Sequence, residues 1–280
     1  MGFKILRKEQ LASNIHFIEV DAPRIAKAAK PGQFVVLRIN ENGERIPLTI
    51  ADKNIKNGTI EIIFQEAGAS TTILSKLKAG DSILNILGPL GEPSHIENIG
   101  SVVVIGGGVG IAEIFPAIKE YKAKGNKVTA IIGARNKQLL LTEEKIKNMA
   151  DELLIATDDG SYGRKGFVTD ILKEMIEDKK EINLVYAVGP VPMMEAVSNV
   201  TKAAKIKTMV SLNTLMLDAT GMCGVCRITV GGQIKFACVD GPEFDAHLVD
   251  FKELKTRLST YRDKEKEAID HICSLDKIKE

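Results

Sequence analysis

Two rhythms of apolar and polar residues divide the chain. From residue 2 to about 90, short β-branched runs of strand length recur at Asn14–Val20, Gln33–Ile39, Ile46–Ala51, Thr59–Gln65 and Ser82–Leu87. The pairs Pro31-Gly32, Asn42-Gly43 and Asn57-Gly58 separate them, and such pairs accept the backbone angles of a tight reversal. Short strands at this spacing, with little helix between them, predict an antiparallel barrel or sandwich. One short helix is expected there, Ser70–Lys78, opened by a Ser/Thr cap.

The period changes near Gly100. Apolar strands at Val102–Ile105, Val128–Ile132, Leu153–Ala156 and Asn183–Val188 alternate with helical patterns at Ala112–Lys124, Thr142–Asp151, Val168–Glu177 and Met193–Lys205. Continuous apolar strands between helices are buried on both faces, which predicts a parallel, doubly wound sheet. From about Leu212 the chain holds a cysteine loop, a hairpin at Gly231-Gly232 and a charged C-terminal helix. The expected organisation is therefore a β-barrel over residues 1–98, an α/β nucleotide-type unit over 99–211, and a cysteine-bearing loop with a helical tail over 212–280.

Charge narrows the function. The 38 basic residues nearly cancel the 37 acidic ones, which leaves no electrostatic case for a nucleic-acid or membrane-surface partner. The start, MGFKILRKEQ, has no apolar signal core. The longest apolar stretch, Ile99–Ala112, contains five glycines and reads as a strand and turn, not a membrane span. A soluble, cytoplasmic protein is expected.

Three of the four cysteines crowd between Cys223 and Cys238. Without a secretory signal, such clustering points to metal or redox chemistry rather than a disulfide framework. The pattern is Asp218-x4-Cys223-x2-Cys226-x11-Cys238, with Gly221 and Gly224 supplying turn freedom. Clustered thiolates suit zinc or iron–sulfur, and plant-type [2Fe-2S] proteins use a Cys-x4-Cys-x2-Cys run with a distant fourth cysteine. Here Asp218 stands in the first place. A packed cluster of reduced thiols and a structural zinc site are the alternatives. Cys273 sits at helical spacing with Ile269 and Ile272 and reads as a buried core thiol.

Glycine marks a second site. Gly106-Gly107-Gly108-Val109-Gly110 follows a strand and opens a helix, where backbone N–H groups and a helix N-terminus can meet a pyrophosphate. A true dinucleotide fingerprint would place glycine where Ile111 stands. Arg135, Asp158 and Gly189 also follow strands at their C-terminal ends, the edge where open α/β sheets bind ligands. In the first half, Arg45 offers a fork to a diphosphate, and Gly68, Ser70 and Thr71 open a helix that could hold the remaining phosphate oxygens. A solvated strand-end charge and a plain helix cap are the plainer readings of Arg45 and Ser70.

In this order the pieces resemble the ferredoxin-reductase-type flavoprotein superfamily. Pro31-Gly32-Gln33-Phe34 resembles its barrel signature, Arg45–Thr49 its Arg-x-aromatic-Ser/Thr flavin motif, and Gly108-Val109-Gly110-Ile111-Ala112 its nucleotide loop. Glu113 departs from the proline that usually follows. The cysteine loop narrows the resemblance to a branch with two kinds of subunit: the dihydroorotate dehydrogenase electron-transfer subunit and the small subunit of NADH-dependent ferredoxin:NADP oxidoreductase. The first kind carries four cysteines. Asp218 and the long charged tail after Pro242 resemble the second.

The resemblance implies FAD, a [2Fe-2S] cluster and NAD(H). By motif, Arg45, Pro47, Leu48 and Thr49 line the isoalloxazine and ribityl region, with Thr49 near flavin N5. Ile63, Phe64 and Gln65 follow along the cofactor, and Gly68, Ser70 and Thr71 bind its pyrophosphate. Gly107, Gly108, Gly110, Arg135, Asp158 and Gly189 surround the nicotinamide nucleotide. Asp218, Cys223, Cys226 and Cys238 hold the cluster. No side-chain acid or base is expected at the hydride step. The implied partner is a larger subunit with a second flavin and further clusters, forming a heterodimer that deals indirectly with ferredoxin and NADPH. The alternatives are the dihydroorotate dehydrogenase branch, a non-catalytic nucleotide sensor with structural zinc, and a free-standing reductase feeding an oxygenase. Arg135 alone leans towards NADP, whereas the family leans towards NAD.

Overall fold

A computed structural model describes residues 2–279, with side chains as far as His271. The stripe expected around Cys273 lies among side chains outside the described residues.

The first half holds β1 (Phe3–Ala12), β2 (Ile15–Asp21), α1 (Pro23–Ala28), β3 (Phe34–Arg38), β4 (Arg45–Thr49), β5 (Asp52–Asn54), β6 (Thr59–Gln65), α2 (Ala69–Ser75), β7 (Ser82–Ile83) and β8 (Asn85–Leu90). Two antiparallel sheets, β5-β6-β2-β1-β7 and β4-β3-β8, enclose one apolar core that includes Ile5, Ile18, Val35, Leu37, Ile62, Phe64 and Leu74. This is the expected antiparallel barrel. Strand β1 was not among the expected elements: half of its sequence, FKILRKEQLA, is polar, and it pairs with β2 through two register shifts.

The second half holds β9 (Ser101–Gly107), α3 (Gly110–Glu113), α4 (Phe115–Ala123), β10 (Lys127–Ala134), α5 (Glu143–Lys147), β11 (Glu152–Thr157), β12 (Arg164–Lys165), α6 (Val168–Glu177), β13 (Leu184–Val188), α7 (Val191–Ala203) and β14 (Thr208–Ser211). The cysteine region follows with β15 (Arg227–Val230), β16 (Gln233–Phe236), α8 (Ala237–Asp240) and β17 (Glu243–Asp245), and then α9 (Phe251–Leu258) and α10 (Arg262–Lys279). The sheet runs β12-β11-β10-β9-β13-β14-β17, parallel except for β17. Its order reverses between β9 and β13, which makes the carboxyl ends of those two strands the switch point. The one helix expected over Ala112–Lys124 is two: the chain re-caps at Ile114, and Pro116, which lacks an N–H, opens α4. Among the described residues no helix is long and apolar enough to cross a membrane.

Alternation along β9 joins the parts. Val103 and Ile105 face a core shared with Phe34 and Val36 of β3 and with Cys226 and Cys238, whereas Val102 and Val104 face Ile15, Phe17 and Ile63. The two faces of the central strand thus belong to two apolar cores, each of which includes barrel residues.

The turn after β9 is packed as tightly as the core. A Cβ on Gly110 would lie 2.5 Å from the Val188 carbonyl oxygen, a backbone atom that cannot step aside. Gly108 has φ +57° and borders open space. Gly110→Ala is therefore expected to cost about 3 kcal/mol by overpacking, and Gly108→Ala about 1 kcal/mol of left-handed backbone strain. Thermal midpoints of the two variants check this ranking, and equal midpoints would remove the packing role from Gly110.

Candidate cofactor and cluster site

The flavin-motif residues lie where two sheets meet. Pairing with β3 sets Thr49 opposite Phe34 and Arg45 opposite Arg38, so Arg45 and Thr49 mark the two ends of β4. Pro47, Leu48 and Thr49 are half-buried and Arg45 is exposed. Among the described residues its guanidinium meets neither an ion-pair nor a hydrogen-bond partner, which leaves its fork free for an anion.

On β6 the pleat separates the expected residues. Ile63 faces the core beside the parallel sheet, while Phe64 is 1% exposed inside the barrel. Phe64 can offer a cofactor only its backbone, a correction that follows from the two-residue period of a strand. Gln65 is half-buried on the Ile63 side.

The loop into α2 also differs in detail. Its cap is Gly68, not Ser70, and the Thr71 hydroxyl accepts from the N–H groups of Ala67 and Gly68 at 2.9 and 3.0 Å while donating to the Gly68 carbonyl. Thr71 thus shapes the loop. Ser70 and the first-turn N–H groups of Ala69, Ser70 and Thr71 are the groups left for an anion.

At the sheet's carboxyl edge, Gly107 and Gly189 press against Met193, so these glycines serve packing first. Gly108 alone of the loop faces open space. Arg135 and Asp158 are exposed just beyond β10 and β11, tied side by side because the Asp158 N–H donates to the Ala134 carbonyl at 3.1 Å. Next to Arg135, Asn136 has a buried Oδ1 with no partner. The sequence reading missed Asn136, whose neighbours carry no motif.

The hairpin β15–β16 explains the long spacing in the cysteine pattern. Arg227 pairs with Phe236 across a two-residue Gly231-Gly232 turn, which brings the chain back beside its start, and the Ala237 N–H donates to the Cys226 carbonyl. Cys226 and Cys238 are buried with sulfurs 3.2 Å apart. Burial and the neighbouring Cys226 push the Cys238 thiol up to about 12. Cys223 is exposed. Asp218 is held below the usual carboxylate range, first by the Thr220 N–H that donates to its Oδ1 at 3.0 Å, then by hydrogen bonds from Cys223. Ala219, Gly221 and Gly224 all have left-handed φ, curling the loop so that backbone N–H groups turn inward, and Gly221 donates to Cys238. From α9, Arg257 donates to the Val225 carbonyl at 2.8 Å and fixes the loop from outside.

The four donors thus stand as two pairs, Asp218 with Cys223 and Cys226 with Cys238. Among the described residues no three of them converge on one point for a single ion. Three cysteines and a carboxylate gathered on one loop and hairpin are a donor set that a centre of two metal atoms can use. Thr214, upstream in the same segment, has a buried hydroxyl with no partner.

Glu113 was noted in the sequence only as a departure from proline. In the fold burial pushes its carboxyl above the ordinary carboxylate range, a rise that the Thr49 side chain opposes. Nearby, Glu243 accepts from Tyr186 at 2.7 Å and Ser94 at 2.5 Å, and burial raises it too.

Comparison with known proteins agrees with this geometry. Residues 213–250 match the iron–sulfur cluster binding domain of dihydroorotate dehydrogenase B, and residues 104–199 match the oxidoreductase NAD-binding domain. A dihydroorotate dehydrogenase B (NAD(+)) electron transfer subunit homolog from Thermotoga maritima is 46% identical over 94% of this chain and 93% of its own. The electron transfer subunit from Desulforamulus reducens is 36% identical over 86% and 94%. Among solved structures, a chain of an NADH-dependent reduced ferredoxin-NADP oxidoreductase, described for flavin-based electron bifurcation, superposes with TM-score 0.93 at 43% identity over 98% of both chains. An Amycolatopsis cytochrome P450 reductase shares the fold alone, with TM-score 0.62 at 22% identity over 73% of this chain and 66% of that one. The chain belongs to the family of dihydroorotate dehydrogenase B electron transfer subunits and their homologues, oxidoreductases that work with FAD, NAD(H) and an iron–sulfur cluster.

Proposed function

We propose that this chain is the small, NAD-side subunit of a heterodimeric ferredoxin:NADP oxidoreductase of the electron-bifurcating type. The observation that carries this reading is the mixed donor set, with Asp218 and Cys223 as one pair and Cys226 and Cys238 as the other. The high similarity to the bifurcating oxidoreductase chain supports it. Residues 1–98 are assigned to FAD, 99–211 to NAD(H) and 212–280 to the cluster and tail.

Bound flavin supplies the one chemistry that can trade hydride pairs with a nicotinamide and single electrons with a cluster. The chain's task is to place the two neighbours on either side of it. Arg45 holds diphosphate oxygens, Ser70 and the first-turn N–H groups of α2 hold the rest, and Pro47, Leu48, Thr49, Ile63, Gln65 and the Phe64 backbone line the ring and ribityl chain. Gly108, Arg135 and Asp158 meet the nicotinamide nucleotide at the switch point, while Gly107, Gly110 and Gly189 let β9 and β13 close behind it. Leu217, Met222 and Val239 stand exposed around the cysteine loop at 61%, 88% and 40%. Apolar side chains gathered in water support a larger partner subunit that covers the outer donors. The described cysteines are thiols, which supports a reducing, cytoplasmic setting.

The dihydroorotate dehydrogenase branch is the second reading, favoured by the names of the relatives. Purification without oxygen, alongside the products of neighbouring genes, separates the two by which larger subunit accompanies this chain. Flavin, iron and acid-labile sulfide are measured on the same material, and a colourless protein would sink both readings in favour of a zinc module.

Residue-level outcomes follow. Cys226→Ser is expected to abolish the cluster's visible and paramagnetic signals while flavin remains, and retained signals remove Cys226 from the ligand set. Asp218→Cys keeps a cluster but moves its midpoint, so an unmoved midpoint shows that Asp218 is not a ligand. Arg45→Ala deletes a charge-assisted contact worth about 1.5–3 kcal/mol, so FAD affinity is expected to fall about tenfold or more. Equilibrium dialysis of FAD against the variant measures this, and unchanged retention rejects the assignment.

A further inference from the structure

Passing electrons between two carriers asks for more than nearness, because both must also keep one orientation. Apolar packing is not directional, so the cores on either face of β9 hold the parts together without fixing how one is turned against the next. Hydrogen bonds prefer a narrow range of angles and can supply that register. The structure gathers such bonds at one carboxyl.

Glu243 opens β17 shortly after Cys238 and is half-buried. Strand β17 is the edge of the parallel sheet, held by its ladder to β14. The Glu243 side chain reaches past β14 to the next strand, where its Oε1 accepts from the Tyr186 hydroxyl of β13 at 2.7 Å. The same oxygen accepts from the Ser94 hydroxyl at 2.5 Å. Ser94 lies on the connection between barrel and sheet, and its own N–H donates to the Pro31 carbonyl of the barrel at 2.9 Å. The turn at Gly32 closes on these atoms: a Cβ there would lie 2.3 Å from the Ser94 hydroxyl oxygen and 2.6 Å from Glu243 Oε1. The two residues before Glu243 are tied too, with the Glu92 N–H donating to the Gly241 carbonyl and the Leu212 N–H to the Pro242 carbonyl. Barrel, parallel sheet and cysteine segment therefore meet at one oxygen atom.

We propose that Glu243 is a positioning residue for the step between flavin and cluster, its carboxyl locking the cysteine segment in register against the barrel and the sheet. This rests on the placing of FAD in the barrel and of the cluster on the cysteine loop in the preceding reading. The packing of barrel on sheet along β9 does not pass through Glu243, so the step between nicotinamide and flavin is independent of it. Loss of the carboxyl frees the edge strand, and with it the segment that carries Cys238, to turn against the barrel. The flavin-to-cluster step then slows while the hydride step keeps its rate. An uncharged acceptor oxygen of the same reach serves the two hydroxyls as well, which separates position from charge.

The test uses the holoprotein under anaerobic conditions, with FAD and iron measured in every sample. Hydrogen exchange of the peptides that contain Glu92 and Leu212 is expected to quicken about tenfold or more in Glu243→Ala and to stay at the wild-type rate in Glu243→Gln. In stopped flow, flavin bleaching by NADH is expected to match wild type in both variants. Freeze-quenched cluster reduction is expected to slow about tenfold or more in Glu243→Ala and to recover in Glu243→Gln. A contact that served stability alone would lower the thermal midpoint and leave the two steps in their wild-type ratio. Cluster reduction at the wild-type rate in loaded Glu243→Ala overturns the proposal, as does equal slowing of both steps, or slow cluster reduction in loaded Glu243→Gln. Where Glu243→Ala does not load, Tyr186→Phe combined with Ser94→Ala removes both donors and keeps the carboxyl. That pair is expected to slow cluster reduction alone, and a wild-type rate there overturns the proposal equally. Wild type without flavin or iron instead overturns the functional reading beneath it, and with it this role.

Discussion

One strand buried on both faces sets the distances on which electron transfer depends. Every second residue of β9 packs against the core that holds Cys226 and Cys238, and the residues between pack against barrel side chains such as Phe17 and Ile63. Separating these parts would return several large apolar side chains to water, at roughly 1.5–3 kcal/mol each. The chain also stitches the junction with backbone bonds. The Glu92 N–H donates to the Gly241 carbonyl at 2.7 Å and the Leu212 N–H to the Pro242 carbonyl at 2.9 Å, immediately after Cys238. A relay needs carriers at fixed spacing, and here the spacing is a property of packing rather than of any single contact.

Against that rigid frame the acidic groups at the junction stand out. A carboxylate taken out of water without a cation is costly, and the usual response is to hold a proton. Glu243 offsets the cost by accepting from two hydroxyls. The fold therefore contains one carboxyl that two hydroxyl donors hold in place.

What the sequence disclosed follows from which signals are local. The alternating runs and the continuous apolar strands disclosed an antiparallel barrel and a parallel sheet, whereas the strand order that makes the switch point was visible only in the fold. Phe3–Ala12 escaped because much of it is polar, and its strand character comes from β2 and β7 beside it. The split of the long helix was visible in Pro116 but was outweighed by the apolar spacing around it. Near the proposed site, the surroundings of Arg45 were not legible, whereas the left-handed turn at Gly108 was, from the glycine run alone. Phe64 and Thr71 were not, since register decides which way a strand residue faces, and the Thr71 hydroxyl was claimed by its own loop. Glu113 could be seen as unusual, but its burial is a property of the folded chain alone.

The cysteine loop shows how spacing becomes chemistry. A gap of eleven residues carries no ligand logic until the hairpin is drawn, when the pairing of Arg227 with Phe236 returns the backbone to within reach of Cys226. The inner pair of thiols then lies in the apolar core and the outer pair, with its carboxylate, lies towards solvent. A single zinc ion would need all four donors around one point, and burial of one pair with exposure of the other works against that. A centre with two metal atoms accepts such an arrangement, one atom to each pair.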